Sequence, residues 1–362
     1  MILGFGEIMM RMAPGGHLRW RQCLPGPVHV TWGGGEANVC ASLAMLGAPS
    51  RFITALPANP LSEGIQATLR GLGVDTQHIL WRKTGRVGIY LVESGANQRG
   101  STVLYDREYS AISLAKPEEY HFDAALDGVT WLHVTGITPA ISEQACQSNL
   151  ALVKRAKQRG VRVSCDLNFR KKLWTWRSGT GARQLAGEMM PHVLEHVDLL
   201  IANEEDAADV LGIHAGTTDV TKGQLDVRSY EQVAREIVAR FSSIQLVAIT
   251  LRESLSADHN NWGGLLYDAQ TERSHLAPLD ADGRYQPYEI RDIVDRVGGG
   301  DSFAAGLLYA LTSQDLSSPE QAIRFAIASS CLKHSILGDF NYVTKEEVIG
   351  LMGGNASGRV VR

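Results

Sequence analysis

The strongest chemical signal in the sequence lies in residues 295–303, which read DRVGGGDSF. Its glycines let several backbone N–H groups turn toward one point, and the apolar pattern that follows predicts a helix with a positive N-terminal end. Such an arrangement binds anions and suits phosphate. Asp301 stands at the mouth of this site, where a carboxylate would repel phosphate unless it accepts a proton from an attacking hydroxyl. The alternative is a tight loop in which Asp301 only caps the helix.

A second glycine run, Gly33, Gly34 and Gly35, precedes Asn38 and a stretch over residues 39–46 that is apolar nearly all round. This pattern predicts a buried helix whose glycine start lets a ligand approach closely, with Asn38 able to bind hydroxyls. The run does not complete the pattern G-x-G-x-x-G, and the chain contains no G-x-x-x-x-G-K-[ST]. Both absences argue against a dinucleotide site and against a P-loop.

The composition indicates a globular protein that does not bind nucleic acid or an anionic membrane. The chain has 362 residues, 44% of them hydrophobic, and a formal net charge of −4, so it can bury a large core and does not attract polyanions in general. No window reaches the roughly 20 apolar residues of a membrane span, and the first residues lack the features of a signal peptide. The five cysteines are too far apart for a zinc ribbon or a disulfide framework. We therefore expect a cytoplasmic protein with reduced thiols.

Short apolar runs alternate with helical patterns, which predicts an α/β fold with a doubly wound, mostly parallel sheet flanked by helices. A hairpin interrupts this alternation, because Gly88–Glu93 and residues 101–105 are strand-like and flank a polar turn, and residues 27–32 can add a third strand. This small β-sheet would act as a lid over a site at the carboxyl ends of the parallel strands. The strands are predicted at 1–6, 51–55, 128–134, 161–167, 197–202 and 245–251, and the helices at 142–159, 182–195, 204–211 and 229–241.

The two glycine runs, the hairpin lid and the aspartate after the second run together resemble the ribokinase-like (PfkB) carbohydrate kinases. The resemblance covers essentially the whole chain and implies a doubly wound α/β domain with a β-sheet lid. It implies that Asp301 is the catalytic base, that Gly298, Gly299 and Gly300 form an anion hole, and that ATP and Mg²⁺ are the cofactors. Arg296 stands where the family usually has threonine, so the role of that threonine does not carry over.

The resemblance also assigns residues to the nucleotide and to the metal. Residues 203–206 follow a predicted strand and match the family's Asn-x-x-Glu, which helps to hold Mg²⁺ through water, except that Asp206 is a shorter carboxylate. The acidic first turn of a helix explains the same residues without a metal. Thr250 and Arg252 follow a strand and resemble the segment that runs beneath ATP. The implied nucleotide set is Asn168, Arg170, Asn203, Thr250, Arg252, Gly298 and Gly300, and the implied metal pair is Asn203 and Asp206.

Arginines on the lid and past a strand end point to an acidic substrate. Tyr105-x-Arg107 lies on the lid, and Asn168-x-Arg170 follows a strand. Arginine binds carboxylate through two parallel hydrogen bonds, and tyrosine stacks on a sugar face. These pairs, together with Lys333-His334 and residues 338–341, resemble the 2-keto-3-deoxygluconate kinase branch, which implies transfer of phosphate from ATP to the C6 hydroxyl of 2-dehydro-3-deoxy-D-gluconate. The implied substrate set is Gly34, Gly35, Asn38, Tyr90, Tyr105, Arg107, Arg170, Asp301 and Asp339.

Other interpretations stay open at this point. A fructokinase or another neutral-sugar kinase has the same motifs, and a catalytically silent sugar-acid sensor would use the same pocket. Arg107 can be a solvated surface charge, and Arg170 can serve the nucleotide phosphates alone. Residues 192–196 match the zinc-peptidase pattern H-x-x-E-H, which also recurs by chance.

We expect one domain over residues 1–362, with the lid formed by about 8–32 and 86–110 and a flexible tail over about 353–362. The expected partners are a small-molecule sugar acid and ATP. Because an exposed lid edge can pair with the edge of a second copy, we also expect a homo-oligomer.

Overall fold

Strands and helices alternate along the chain in the computed structural model, which describes residues 1–214 and 227–354. The strands are β1 (Ile2–Phe5), β2 (Met9–Ala13), β3 (His29–Gly33), β4 (Ser50–Ile53), β5 (Ala55–Pro57), β6 (Leu80–Arg82), β7 (Gly88–Glu93), β8 (Thr102–Asp106), β9 (Trp131–Thr135), β10 (Arg162–Asp166), β11 (Leu199–Ala202), β12 (Leu246–Ser256), β13 (His259–Asp268), β14 (Arg273–Ala277) and β15 (Tyr288–Ile290). The helices are α1 (Trp20–Cys23), α2 (Gly35–Met45), α3 (Pro60–Gly71), α4 (Ala111–Leu114), α5 (Phe122–Ala125), α6 (Ile137–Ile141), α7 (Glu143–Gln158), α8 (Ala182–Leu194), α9 (Glu204–Leu211), α10 (Val227–Arg240), α11 (Gly299–Thr312), α12 (Pro319–Lys333) and α13 (Lys345–Met352).

The larger sheet runs in the order β14-β13-β12-β11-β10-β9-β1-β4, with β15 beside β13. The strands from β4 to β12 along this order pair in parallel, whereas β13 pairs antiparallel with β12, β14 and β15. The doubly wound, mostly parallel sheet that the sequence predicts is therefore confirmed.

Alternate side chains of the parallel strands enter two apolar layers, one on each face of the sheet. Leu3 and Phe5 of β1 belong to the layer that packs against α7, α8 and α10, whereas Ile2 belongs to the layer that packs against α2, α11 and α12. This period of two is what a strand buried on both faces requires. The two faces of the sheet are therefore mainly apolar, and a ligand site in such a sheet is expected beyond the ends of the strands.

The predicted strands and helices are found with small shifts at their ends, but β13, β14 and β15 are absent from the prediction. β13 begins with His259, Asn260 and Asn261 and carries Gly263 and Gly264, which interrupt the apolar pattern that reveals a strand. The chain forms a strand there because ten register pairs with β12 satisfy its backbone.

The smaller sheet runs in the order β3-β2-β7-β8. β7 and β8 form the predicted hairpin, with Tyr90 opposite Tyr105, and β3 covers most of the predicted third strand. β2, which the sequence analysis did not predict, pairs antiparallel with β3 and parallel with β7. A separate small sheet is thus confirmed. The single domain and the lid limits stay predictions, and residues 355–362 of the predicted tail lie outside the described residues.

Within residues 1–214 and 227–354, no helix is long and apolar enough to cross a membrane. α8 ends at Leu194, so His192 and His196 do not share a helix as the H-x-x-E-H pattern requires. The same ranges contain no group of three or more His, Cys, Asp or Glu side chains placed around a metal ion. The zinc interpretation therefore has no support in the structure.

Candidate active site

A cavity of about 790 Å³ opens at the carboxyl ends of β10 and β11, between the small sheet and the N-terminus of α11. Ligand sites in open α/β sheets form at this edge. The cavity wall brings together the residues to which the sequence analysis assigns a role, although the roles themselves stay predictions. These wall residues are Gly34, Gly35, Asn38, Tyr90, Tyr105, Arg107, Asn168, Arg170, Asn203, Asp206, Thr250, Arg252, Gly298, Gly299, Gly300, Asp301 and Asp339.

The glycine loop forms the N-terminus of α11, with Gly298 as its N-cap. Gly298 has a left-handed backbone (φ +85°), and a Cβ there would lie 2.2 Å from the carbonyl oxygen of Asp339, so only glycine fits. Ser302 N makes the first helical bond, to Gly298 O at 2.9 Å. The amides of the preceding turn therefore lie before the intrahelical ladder begins. Gly299 N makes a long contact of 3.5 Å with Arg296 O, and an anion at the positive end of the helix would compete with this contact.

Asp301, in the first turn of α11, is half-buried on the cavity wall. Its Oδ2 accepts a hydrogen bond from Asn38 Nδ2 at 2.7 Å. Burial raises the pKa of this carboxyl to about 6, and the charge of Asp339 adds to the rise, whereas the Asn38 bond and Arg170 oppose it. At neutral pH the group is ionised, yet it is a stronger base than an ordinary aspartate.

Glu36 holds the start of α2, the helix that carries Asn38. It is fully buried in the first turn of α2, where its Oε1 accepts hydrogen bonds from Thr135 N (3.1 Å), Thr135 Oγ1 (2.8 Å) and Thr138 Oγ1 (2.8 Å). Burial raises the pKa of Glu36 to about 7. Gly6 lies between β1 and β2. A Cβ there would lie 2.0 Å from Glu36 Oε2, so glycine at this position leaves room for the Glu36 carboxyl. The start of α2 is thus tied to the end of β9.

A buried ionic network lies next to Asp301. Arg11 of β2 donates from Nη1 to Asp339 Oδ1 (2.8 Å) and from Nη2 to Asp295 Oδ2 (2.5 Å). Gly338 N also donates to Asp295 Oδ2 at 3.0 Å, and Asn38 Nδ2 reaches Asp339 Oδ2 at 3.3 Å. All three ionic side chains are at most 4% exposed. The network joins the small sheet to Asp295, which lies just before the glycine loop, and to Asp339, which lies in the segment after α12.

On the small sheet, Arg107 is buried rather than solvated, which removes the surface-charge interpretation. Its Nε donates to Glu7 Oε2 at 2.7 Å, and its guanidinium lies over the Tyr105 ring, 5.5 Å from the centroid. Gly88 leaves the space that Glu7 needs, because a Cβ there would lie 2.7 Å from Oε1. Glu7 therefore holds Arg107 at the cavity wall beside Tyr90.

At the opposite side of the cavity, Asp166 ends β10 and Asp206 lies in α9, just after β11. Asp166 is buried, and its pKa lies well above the usual range because of burial and the neighbouring charge of Asp206. Asp206 Oδ1 accepts from Phe169 N at 3.0 Å, while Asn203 Oδ1 caps α9 by accepting from Asp206 N at 2.7 Å. Asn168 has a left-handed backbone (φ +37°) and donates from its N–H to Asp166 Oδ1.

Arg296, the departure from the family pattern, also lies on the cavity wall. Its Nη2 donates to Ser256 O and Asn260 Oδ1, both at 3.0 Å, so it fastens the segment before the glycine loop to β12 and β13. Burial and the nearby charge of Arg252 lower the pKa of Arg296. Arg296 therefore has a structural role. It holds the segment before the glycine loop against β12 and β13, on the side of the cavity where Thr250 lies.

A scan against protein families matches the model of pfkB family carbohydrate kinases over residues 10–251, which is more than half of the chain. The chain belongs to the pfkB family of carbohydrate kinases. The crystal structure of 2-dehydro-3-deoxygluconokinase from Thermotoga maritima is similar to this kinase, with 41% sequence identity, a TM-score of 0.87 and coverage of 98% of this chain and 99% of that chain. The 2-dehydro-3-deoxygalactonokinase of Haloferax volcanii is 28% identical over 359 residues, which cover 99% of this chain and 98% of the relative.

A fructokinase with bound ATP from Xylella fastidiosa shares the fold, with a TM-score of 0.73, 21% identity and coverage of 98% of this chain and 99% of that chain. The ribokinase-like fold predicted from the glycine runs is confirmed by these comparisons. So is membership of the PfkB carbohydrate kinases.

Sequence reasoning missed the charged residues Glu7 and Arg11 of this kinase's site, and it used Lys333 only for the family resemblance and gave it no role. Their partners lie far away in sequence, for example 100 positions from Glu7 to Arg107 and 328 from Arg11 to Asp339. The signal that could have revealed them is a charge inside an apolar run. Arg11 sits between methionines in MMRMA, and Lys333 ends the apolar helix α12.

Proposed function

We propose that this kinase transfers the γ-phosphoryl group of ATP to the C6 hydroxyl of 2-dehydro-3-deoxy-D-gluconate, giving the 6-phosphate. The observation that carries the proposal is the position of Asp301, a carboxylate of raised pKa in the first turn of α11, in a cavity that also holds Arg107. The similar proteins from T. maritima and H. volcanii, both kinases of 2-dehydro-3-deoxy sugar acids by name, support the substrate class.

In the proposed step, a carboxylate oxygen of Asp301 takes the proton of the C6 hydroxyl as that oxygen attacks the γ-phosphorus. The bond between the γ-phosphorus and the β–γ bridging oxygen breaks, ADP leaves with the electron pair, and the proton stays on Asp301. Asn38 holds the carboxylate by its hydrogen bond to Oδ2, which leaves Oδ1 to face the hydroxyl. The amides of Gly298, Gly299 and Gly300 stabilise the negative charge on the transferred group.

The carboxylate of the substrate binds at the small sheet in this proposal. Arg107 offers its guanidinium there, already oriented by Glu7, and little conformational entropy is lost on binding. Tyr90 and Tyr105 flank it on facing positions of β7 and β8 and can pack against the carbon chain. Arg170 stands on the cavity wall between this end and the nucleotide. The small sheet also excludes water, which would otherwise compete as acceptor.

The nucleotide binds along the rest of the wall, with its phosphates toward the glycine loop. Asn168, Arg170, Thr250 and Arg252 are the side chains proposed to contact it. The donors nearest this region, Asn203, Asp166 and Asp206, all offer oxygen atoms, the donor type that suits Mg²⁺ with water and phosphate as further ligands. Bound Mg²⁺ would neutralise phosphate charge, with Asn203 and Asp206 holding it through water. The residues present thus fit the ion.

The test is an ADP-release assay with ATP and one acceptor at a time. The acceptors are 2-dehydro-3-deoxygluconate, its galactonate epimer, gluconate, fructose and ribose, and ³¹P NMR identifies the phosphorylated carbon. We expect kcat/KM for the keto acid to exceed that for fructose by at least about 100-fold, because a neutral sugar has no carboxylate to bind the guanidinium of Arg107. A preference for fructose would make the protein a fructokinase, and tight keto-acid binding without ADP release would make it a sensor.

Assembly into a homo-oligomer stays a prediction from the exposed edges of the small sheet. Sedimentation of the purified kinase tests it directly.

A further inference from the structure

Lys333 is a buried cation that the proposed chemistry does not use. It ends α12 with a side chain that is 0% exposed, and its Nζ donates a hydrogen bond to Ile336 O at 3.0 Å. An ammonium group held away from water carries a large desolvation cost unless nearby charges compensate it. A lysine at this place therefore calls for a reason beyond packing, since a methionine would fill the same space at no such cost.

The side chain of Lys333 runs directly behind the glycine loop. Its Cε would lie 3.2 Å from a Cβ placed on Gly298, and the carbonyl of Asp339 approaches the same point at 2.2 Å. Burial lowers the pKa of Lys333 and the charge of Arg11 adds to this, whereas the carboxylates of Asp295, Asp339 and Asp301 act in the opposite direction and favour the charged form. The charge is thus placed between the anion-binding loop and the acidic groups around it.

The charges of this cluster do not balance without Lys333. Arg11 alone pairs with both Asp295 and Asp339, which leaves one negative charge uncompensated beneath the loop. A site for the terminal phosphoryl group of ATP has to accept a strongly negative ligand, and a buried excess carboxylate next to it would repel that ligand. Adding the ammonium makes the group of Arg11, Asp295, Asp339 and Lys333 neutral, so that Asp301 is the carboxylate of this set that still opposes the positive end of α11.

We infer that Lys333 is a positioning residue that neutralises the Asp295–Asp339 pair and thereby keeps the glycine loop able to bind and stabilise the transferred phosphoryl group. The inference rests on the proposed function, because it assigns the phosphoryl group to the amides of Gly298 to Gly300. It adds a fixed internal cation, supplied by the chain, that faces the loop from behind and never touches the substrate.

The experiment compares Lys333→Met, Lys333→Arg and Lys333→Ala with the wild-type kinase. For Lys333→Met we expect kcat to fall about 100-fold while KM for the keto acid changes by less than about threefold, because the lost charge acts on the phosphoryl group. The affinity for ATP should fall about tenfold, whereas the affinity for AMP, which lacks the γ-phosphoryl group, should stay unchanged. Lys333→Arg keeps the charge and should retain most of kcat.

Chemical rescue separates charge from packing. Methylammonium should raise the kcat of Lys333→Ala at least about tenfold. Methanol, a neutral molecule of similar size, should not raise it. Ile323→Ala is the matched control, since it opens a cavity on the same helix, against Gly264, without removing a charge. That variant should lose stability and keep kcat, with no response to methylammonium.

A folded Lys333→Met variant with kcat within twofold of wild type would overturn the inference. If Lys333→Met does not fold, Lys333→Ala decides, and equal activity in methylammonium and methanol would then overturn it. Failure of the wild-type kinase to phosphorylate any sugar acid is a separate result, which refutes the proposed function and leaves the role of Lys333 without a reaction.

Discussion

Asn38 Nδ2 donates a 2.7 Å hydrogen bond to Oδ2 of Asp301, across 263 positions of sequence. The bond joins the start of α2 to the start of α11, the two helices that begin with the glycine runs. It fixes which carboxylate oxygen is left for a hydroxyl. The two glycine motifs thus form a single site, with one supplying the base and the other its orientation.

Replacing Asp301 with asparagine should separate catalysis from folding. We expect kcat to fall by about 10²–10⁴-fold, the usual contribution of a general base, while the Kd for ATP changes little. Because burial raises the pKa of Asp301, ionisation of this group opposes folding, and Asp301→Asn should melt at or above the wild-type temperature at pH 7. Stopped assays, calorimetric ATP titration and thermal melts measure the three quantities. The exposed Asp315→Asn is the control, and near-normal turnover by Asp301→Asn would remove the base from the mechanism.

The pH profile of kcat/KM should report the same carboxyl. Activity is expected to fall tenfold per pH unit below about 6, since protonated Asp301 cannot accept the hydroxyl proton. Stability should change in the opposite direction. The folded protein holds this proton more tightly than the unfolded chain, so the stabilising contribution is complete below about 3.8 and is lost as pH rises through about 6. Denaturant titrations of wild type and Asp301→Asn between pH 4 and 7 measure the difference, and a constant difference would contradict the raised pKa.

Shortening Arg107 should affect the acidic substrate selectively. We expect Arg107→Ala to raise KM for the keto acid about 30-fold, which corresponds to about 2 kcal/mol for a charge-assisted hydrogen bond, and to leave KM for ATP unchanged. Arg86→Ala is the matched control, because Arg86 lies near the same sheet but pairs with the exposed Asp106. Equal effects of the two substitutions on KM would place the carboxylate elsewhere.

Two alanine substitutions in the glycine loop should have opposite effects on stability. Gly298→Ala puts a Cβ 2.2 Å from Asp339 O at a left-handed backbone position, and we expect it to cost at least about 2 kcal/mol of unfolding free energy. At Gly300 a Cβ meets nothing within 4 Å, and the residue lies inside a helix, so Gly300→Ala should be neutral or stabilising by up to about 1 kcal/mol. Urea unfolding measures the unfolding free energy of both variants. Similar losses of this free energy in the two variants would contradict the prediction.

The fold was largely predictable, because the parallel strands are apolar on both faces and stand out as continuous runs. The glycine loops were predictable for a local reason as well, since a left-handed N-cap such as Gly298 tolerates few other residues. β13 was not predictable in this way, because its asparagines and glycines are held by pairing with β12 rather than by their own pattern.

The charged neighbours of the site were also beyond sequence reasoning. Glu7 and Arg11 look like ordinary surface charges when read alone, and only the fold shows that each is buried against a partner far along the chain. Arg107 lies on the cavity wall, but its pairing with Glu7 depends on how β1, β2 and β8 meet.

The buried ion pairs of Arg11 and Arg107 attach the small sheet to the rest of the kinase. Mobile ions screen charges that face water and hardly affect charges that are sealed from it. Added sodium chloride should therefore weaken the outer pair of Arg86 and Asp106 while this attachment holds. Any dependence of KM on ionic strength then reports how the charged reactants meet the pocket, and not a detachment of the small sheet.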